Sequence, residues 1–192
     1  MNNFNWDSSF SVDFDLHNGL SKAGETTKRR LSQMRDAYSD SAAVDKVLES
    51  KDPIIYEFHE LGCPERKGDL AFGTSIVYAG KIGTEYYMTK GHFHTILDTA
   101  EVYFTLSGEG YMVMENPEGD TMEMPLKKGE ALYVPRRYAH RSVNTGKEPL
   151  VMFFTFGADA GHDYGTIETK GYRKLIIEEN SAPKAIENSR WN

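Results

Sequence analysis

Cysteine is nearly missing. The 192 residues hold one, Cys63, so no disulfide framework exists within the chain and a stapled secreted scaffold is excluded. No apolar run is long enough to cross a membrane as a helix. The opening MNNFNWDSSF has neither the basic start nor the apolar stretch of a secretory signal, and a cytoplasmic setting is expected. Basic charge is short: 22 Lys and Arg stand against 29 Asp and Glu, a net charge of −7. That argues against nucleic acid or an anionic membrane as partner, since both need an excess of cations. A small anion remains admissible, because hydroxyls, amides and a metal can hold one locally. Repeats and low-complexity tracts are absent too.

What is there is ordinary for a globular protein: 39% hydrophobic and 27% charged residues. The length fits one domain spanning 1–192, with an N-terminal extension carrying helices over 1–50 and a β-barrel core over 53–180. Residues 1–20 are polar and mixed, and wrap the domain or begin with a short strand. SKAGETTKRRLSQMRDAY and SDSAAVDKVLES predict two short helices, with Ser39 and Ser41 as caps between them. From Pro53 the pattern alternates: PIIYEFHEL, LAFGTSIVYAG, TEYYMTKGHFH, AEVYFTLSGEGYMVMEN, ALYVPRRYAHRSVN and PLVMFFTFG predict strands. PEGD, KKG and NTGKEP supply turns between them, and GYRKLIIEEN predicts a late strand before a polar tail. Many short strands at this spacing predict an all-β sandwich or barrel.

The chemistry concentrates in a few positions. His92 and His94 are two apart, so on a strand both imidazoles share a face. Glu101 follows on EVYFTL, where Glu101, Tyr103 and Thr105 take one side and Val102, Phe104 and Leu106 the other. Gly108 lies seven residues past Glu101; Gly129, Pro135, His140 and Asn144 follow at intervals of six, five and four. This H-x-H-x6-E-x6-G, then G-x5-P-x4-H-x3-N, resembles the two boxes of the cupin superfamily. The resemblance implies a jelly-roll β-sandwich in which His92, His94, Glu101 and His140 converge on one divalent metal per subunit. Three imidazoles and a carboxylate suit Fe(II) foremost, with Mn(II), Ni(II) or Zn(II) also compatible. Two box positions differ from the pattern: Tyr86 and Arg137 stand where glycine is usual, which touches turn geometry rather than ligands. His17, His59 and Cys63 read as structural or solvated, and Lys28, Arg29 and Arg30 as a solvated helix face.

The flanks narrow the resemblance. DPIIYE, TKGHFH, AEVYFTLSGEGYM, YVPRRYAHRSVN, ADAGHDYGTI and NSRW are together similar to the cupin-type glucose-6-phosphate isomerases first known from archaea, from about residue 10 to the C-terminus. That family implies a homodimer interconverting glucose 6-phosphate and fructose 6-phosphate. The route is either a cis-enediol with Glu101 as base or a metal-assisted hydride shift. It implies substrate contacts at Tyr56, Ser75, Thr89, Gly91 and Tyr164 around the phosphate, Tyr103 on the Glu101 face, and His162 beside the sugar. Strict alternation would turn Thr89 and Gly91 away from His92 and His94, so a bulge or strand end is expected near Gly91. Many relatives carry tyrosine where Phe156 stands and an aromatic at Arg137. Other cupin chemistries (a mannose-phosphate isomerase or a dioxygenase) and a non-catalytic sugar-phosphate sensor are the competing readings.

Overall fold

The computed structural model describes residues 4–21, 24 and 26–191. In chain order it runs β1 (Thr27–Arg30), 3-10 turns at Leu31–Gln33 and Arg35–Ala37, α1 (Ser41–Leu48), β2 (Ile54–Glu60), β3 (Leu70–Val77), β4 (Lys81–Ile82) and β5 (Glu85–Tyr86). It continues with β6 (Glu101–Ser107), β7 (Glu109–Glu115), β8 (Thr121–Lys127), β9 (Ala131–Val134), β10 (Ala139–Asn144) and β11 (Leu150–Gly157). Then come α2 (Gly165–Lys170), β12 (Lys174–Glu179), β13 (Ala182–Glu187) and a final 3-10 turn, Ser189–Trp191.

All strand pairing is antiparallel, in three sheets: β1-β2-β3-β11-β6-β9, β10-β7-β8 and β13-β12-β5-β4. This is the all-β architecture that the strand spacing predicts. Alternation does the sorting: on β6, Glu101, Tyr103 and Thr105 are buried while Val102 and Phe104 are exposed. The apolar inner faces meet in one buried cluster that includes Met112, Met114, Leu126, Leu150 and Met152. The turns use the expected residues. Gly108, Gly119 and Gly129 take positive φ between strands, and the Asn144 side chain accepts from Gly146 N while donating to the Val77 and Glu148 carbonyls.

The N-terminal region departs from expectation. Thr27–Arg30, predicted helical, is an edge strand paired with β2 from Thr27↔Phe58 to Arg30↔Ile54. Arg29 consequently lies over the Phe58 ring, 5.7 Å from its centroid, rather than on a helix face. The helix preference of Lys and Arg is worth only tenths of a kcal/mol, less than a ladder of backbone hydrogen bonds on an open sheet edge. Lys22, Ala23 and Glu25, in the same predicted helix, lie outside the described residues. The second helix is present, but its cap is Asp40, whose side chain accepts from Ala43 N. Ser39 instead donates to Glu85. The polar tail supplies β13, so strands lie on both sides of the 53–180 stretch. The segment before β1 wraps the outer face of the large sheet, with Trp6 and Phe10 against Phe72 and Phe14 against Phe153 and His59.

Candidate metal centre and adjoining cavity

The candidate site lies between the inner face of the six-stranded sheet and β10. Segment 88–94 runs along β10 without forming a regular strand. Met88 pairs with Val143, but His92 pairs with His140, so four steps on one chain match three on the other. This is the extra residue that the alternation argument requires, and Gly91, at φ +73°, sits within it. The irregularity lets Thr89, Gly91 and His92 line one cavity.

Ligand atoms of His92, His94, Glu101 and His140 all lie within 4.8 Å of one another. Glu101 Oε2 is 3.2 Å from His94 Nε2 and 2.9 Å from His140 Nε2. His94, Glu101 and His140 are all buried. His92 Nε2 is sealed from solvent with no hydrogen-bond partner among the described residues. A buried nitrogen left without a partner is costly, and an ion held among the four side chains would satisfy it. On the outer side, His94 Nδ1 faces the Thr99 carbonyl and His140 Nδ1 the Tyr138 carbonyl, each at 3.4 Å. The tautomer that donates there frees Nε2 to ligate. Burial, then the neighbouring His140 and His162, pushes the His92 imidazole well below the ordinary histidine range. Burial alone would push the Glu101 carboxyl up, but His140 first, with His94 and His92 also beside it, outweighs this and holds it low. Three imidazoles around a carboxylate form a donor set that fits a divalent transition metal.

Above this cluster opens a cavity with about 80 Å³ of enclosed free volume, widening to about 580 Å³ when its solvent-open mouth is counted. Every site residue predicted from sequence lines it except His94, which sits beneath in the cluster: Tyr56, Ser75, Thr89, Gly91, His92, Glu101, Tyr103, His140, His162 and Tyr164. The Ser75 hydroxyl is buried with no hydrogen-bond partner among the described residues. Burial raises the Tyr56, Tyr103 and Tyr164 phenols above their usual range, so they stay protonated donors at neutral pH. His162 lies over His92 with ring centroids 4.3 Å apart, and burial lowers its pKa. Phe156 packs between His94 and His162, at 5.4 and 5.6 Å, and brings no hydroxyl there.

Six cavity residues were not singled out as site residues from sequence: Phe58, Glu60, Lys90, Ser142, Phe154 and Phe156. The signal for most was present. Phe58 and Glu60 are two and four residues after Tyr56 on one strand, and Ser142 is two after His140.

A model of the glucose-6-phosphate isomerase family matches residues 28–191. The chain belongs to this family. It is 44% identical to the glucose-6-phosphate isomerase of Pyrococcus furiosus over 95% of this chain and 96% of that protein. It is 43% identical to the same-named protein of Thermococcus gammatolerans over 95% and 96%. The like-named protein of Sinorhizobium medicae is 38% identical, over 92% of this chain and 85% of its own. Glucose-6-phosphate isomerase family membership thus spans both the wall residues of the cavity and the His/Glu cluster at its floor.

Proposed function

We propose that the chain catalyses the interconversion of glucose 6-phosphate and fructose 6-phosphate in the cytoplasm, with one divalent metal per subunit, iron foremost. The observation that carries this reading is a His/Glu cluster at the floor of a cavity whose walls carry the Tyr56, Ser75, Thr89 and Ser142 hydroxyls. Hydroxyl and amide donors can hold a phosphate without a salt bridge, and the orphaned Ser75 hydroxyl is one such donor. His92, His94, Glu101 and His140 would hold the metal. When bound, the cation would polarise the oxygens on C1 and C2 of the open-chain sugar.

His162, whose pKa burial lowers, takes the anomeric hydroxyl proton and returns it to O5 as the C1–O5 bond breaks and the C1 carbonyl forms. The carboxyl of Glu101 is held low among imidazoles, which makes it a weak acceptor for a carbon-bound proton. That favours the hydride route. The C2 hydrogen passes with its electron pair to C1, while the O2 proton passes to O1. The chain works as a homodimer, for which the exposed Val102, Phe104 and Tyr133 of β6 and β9 offer an apolar strip; a monomer mass by sedimentation equilibrium would remove that part.

Purified protein should convert fructose 6-phosphate to glucose 6-phosphate in a coupled dehydrogenase assay without consuming oxygen. Run in D₂O, the product should carry no solvent deuterium at C1 or C2. Deuterium there would reject the hydride route in favour of an enediol, and no conversion at all would reject the isomerase reading.

A further inference from the structure

Behind the cavity wall lies a cation that the chemistry above does not use. On β10, His140 and Ser142 face the cavity, while Arg141 between them points away and is 2% exposed. Removing a guanidinium from water is costly and is normally offset by a carboxylate. Among the described residues Arg141 makes no ion pair. Its Nη2 and Nε both donate to the Lys90 carbonyl, at 2.8 and 3.3 Å, and its cation lies 4.5 Å from the centroid of the Tyr172 ring. The Tyr172 hydroxyl occupies the place where a Cβ on Gly91 would stand. Arg141, Tyr172 and the Lys90–Gly91 peptide are therefore one packed unit, centred on the bulge that brings Thr89, Gly91 and His92 to the same cavity.

The charge reaches the cavity as well as the backbone. Lys90, the cation in the cavity lining, is already paired with Glu168 and stacked on Tyr164. Arg141 touches no carboxylate among the described residues, although the buried Glu85 and Glu115 act on it from further off; at the Tyr56 phenol Arg29, and more weakly Arg141, oppose the effect of burial. In a dry wall such a field is screened far less than at a surface.

We propose that Arg141 is a positioning residue for the substrate's phosphate: it fixes the Lys90–Gly91 turn from behind and adds positive charge behind the wall carrying Tyr56, Thr89 and Ser142. This rests on the isomerase reading for the identity of the substrate, but its test does not need turnover. Arg141→Met and Arg141→Lys would be purified with metal, and inorganic phosphate binding measured by calorimetry alongside metal content, KM and kcat for fructose 6-phosphate. Loss of a charged hydrogen-bonding group predicts phosphate binding weakened about tenfold or more in Arg141→Met. KM should rise in parallel, kcat should change less, and metal content should be unaltered. Arg141→Lys, which keeps charge but not the forked contact, should fall between. If Arg141→Met does not fold, Arg141→Lys decides alone. Wild-type phosphate affinity in a folded variant, or a loss confined to metal content and kcat, overturns the proposal. Wild-type protein that binds phosphate but converts no sugar would instead end the isomerase reading and leave this inference standing.

Discussion

Arg137 holds φ at +71°, a conformation that costs an L-residue about 1–2 kcal/mol. It stands where the cupin pattern has glycine, and the backbone has kept the glycine conformation despite the change of side chain. Its N–H donates to the Leu97 carbonyl at 2.6 Å, and its guanidinium pairs with Glu118 at a partly exposed site. An exposed pair contributes little, so the backbone decides the sign. Arg137→Gly should stabilise the protein by about 1 kcal/mol, read as a higher denaturant midpoint with an unchanged slope; a lower midpoint would mean that the Glu118 pair outweighs the strain. At this scale the sequence was legible where a residue type has few uses. Three histidines and a glutamate at box spacing could be read directly. Arg141 could not, because a lone arginine in a strand is ordinarily a surface group and only burial reveals its role.

Among the elements, the strands were legible because period-two burial leaves its mark on composition, as on β6. Two places were not. Thr27–Arg30 carries the side chains of a solvated helix, and its strand pairing exists only because β2 offers an open edge. Segment 88–94 reads as a strand, yet tertiary packing makes it an irregular, bulged ribbon beside β10. The need for that bulge could be inferred from side-chain direction; its anchor, Tyr172, lies far away in sequence. Gly91→Ala tests the element: a methyl group at φ +73° would strike Tyr172 and the His140 carbonyl. It should destabilise the fold by more than about 1 kcal/mol and lower metal content, since His92 adjoins the turn. Wild-type melting temperature and metal content in this variant would show that the turn is not constrained.

Across the whole molecule, the segment before β1 closes the outer face of the large sheet, where the buried Glu57 carboxylate accepts from the hydroxyls of Thr26 and Tyr78. Burial, then the hydrogen bond to Glu57, pushes the Tyr78 phenol up to about 12. An unfolded phenol titrates near 10. Because the folded value is the higher, Tyr78 contributes stability in full below about pH 10, and that contribution is lost as pH rises through about 12. Tyr78→Phe should therefore flatten the fall in melting temperature between those pH values; an identical fall in both proteins would remove Tyr78 from the alkaline transition. The four convergent side chains matter most at this scale, because the chemistry rests on them. The most direct measurement removes metal from purified protein with a chelator and follows metal content and fructose 6-phosphate turnover together, before and after adding back Fe(II), Mn(II) or Ni(II). Turnover should fall with metal content and return with it, whereas full activity in metal-free protein would contradict the account.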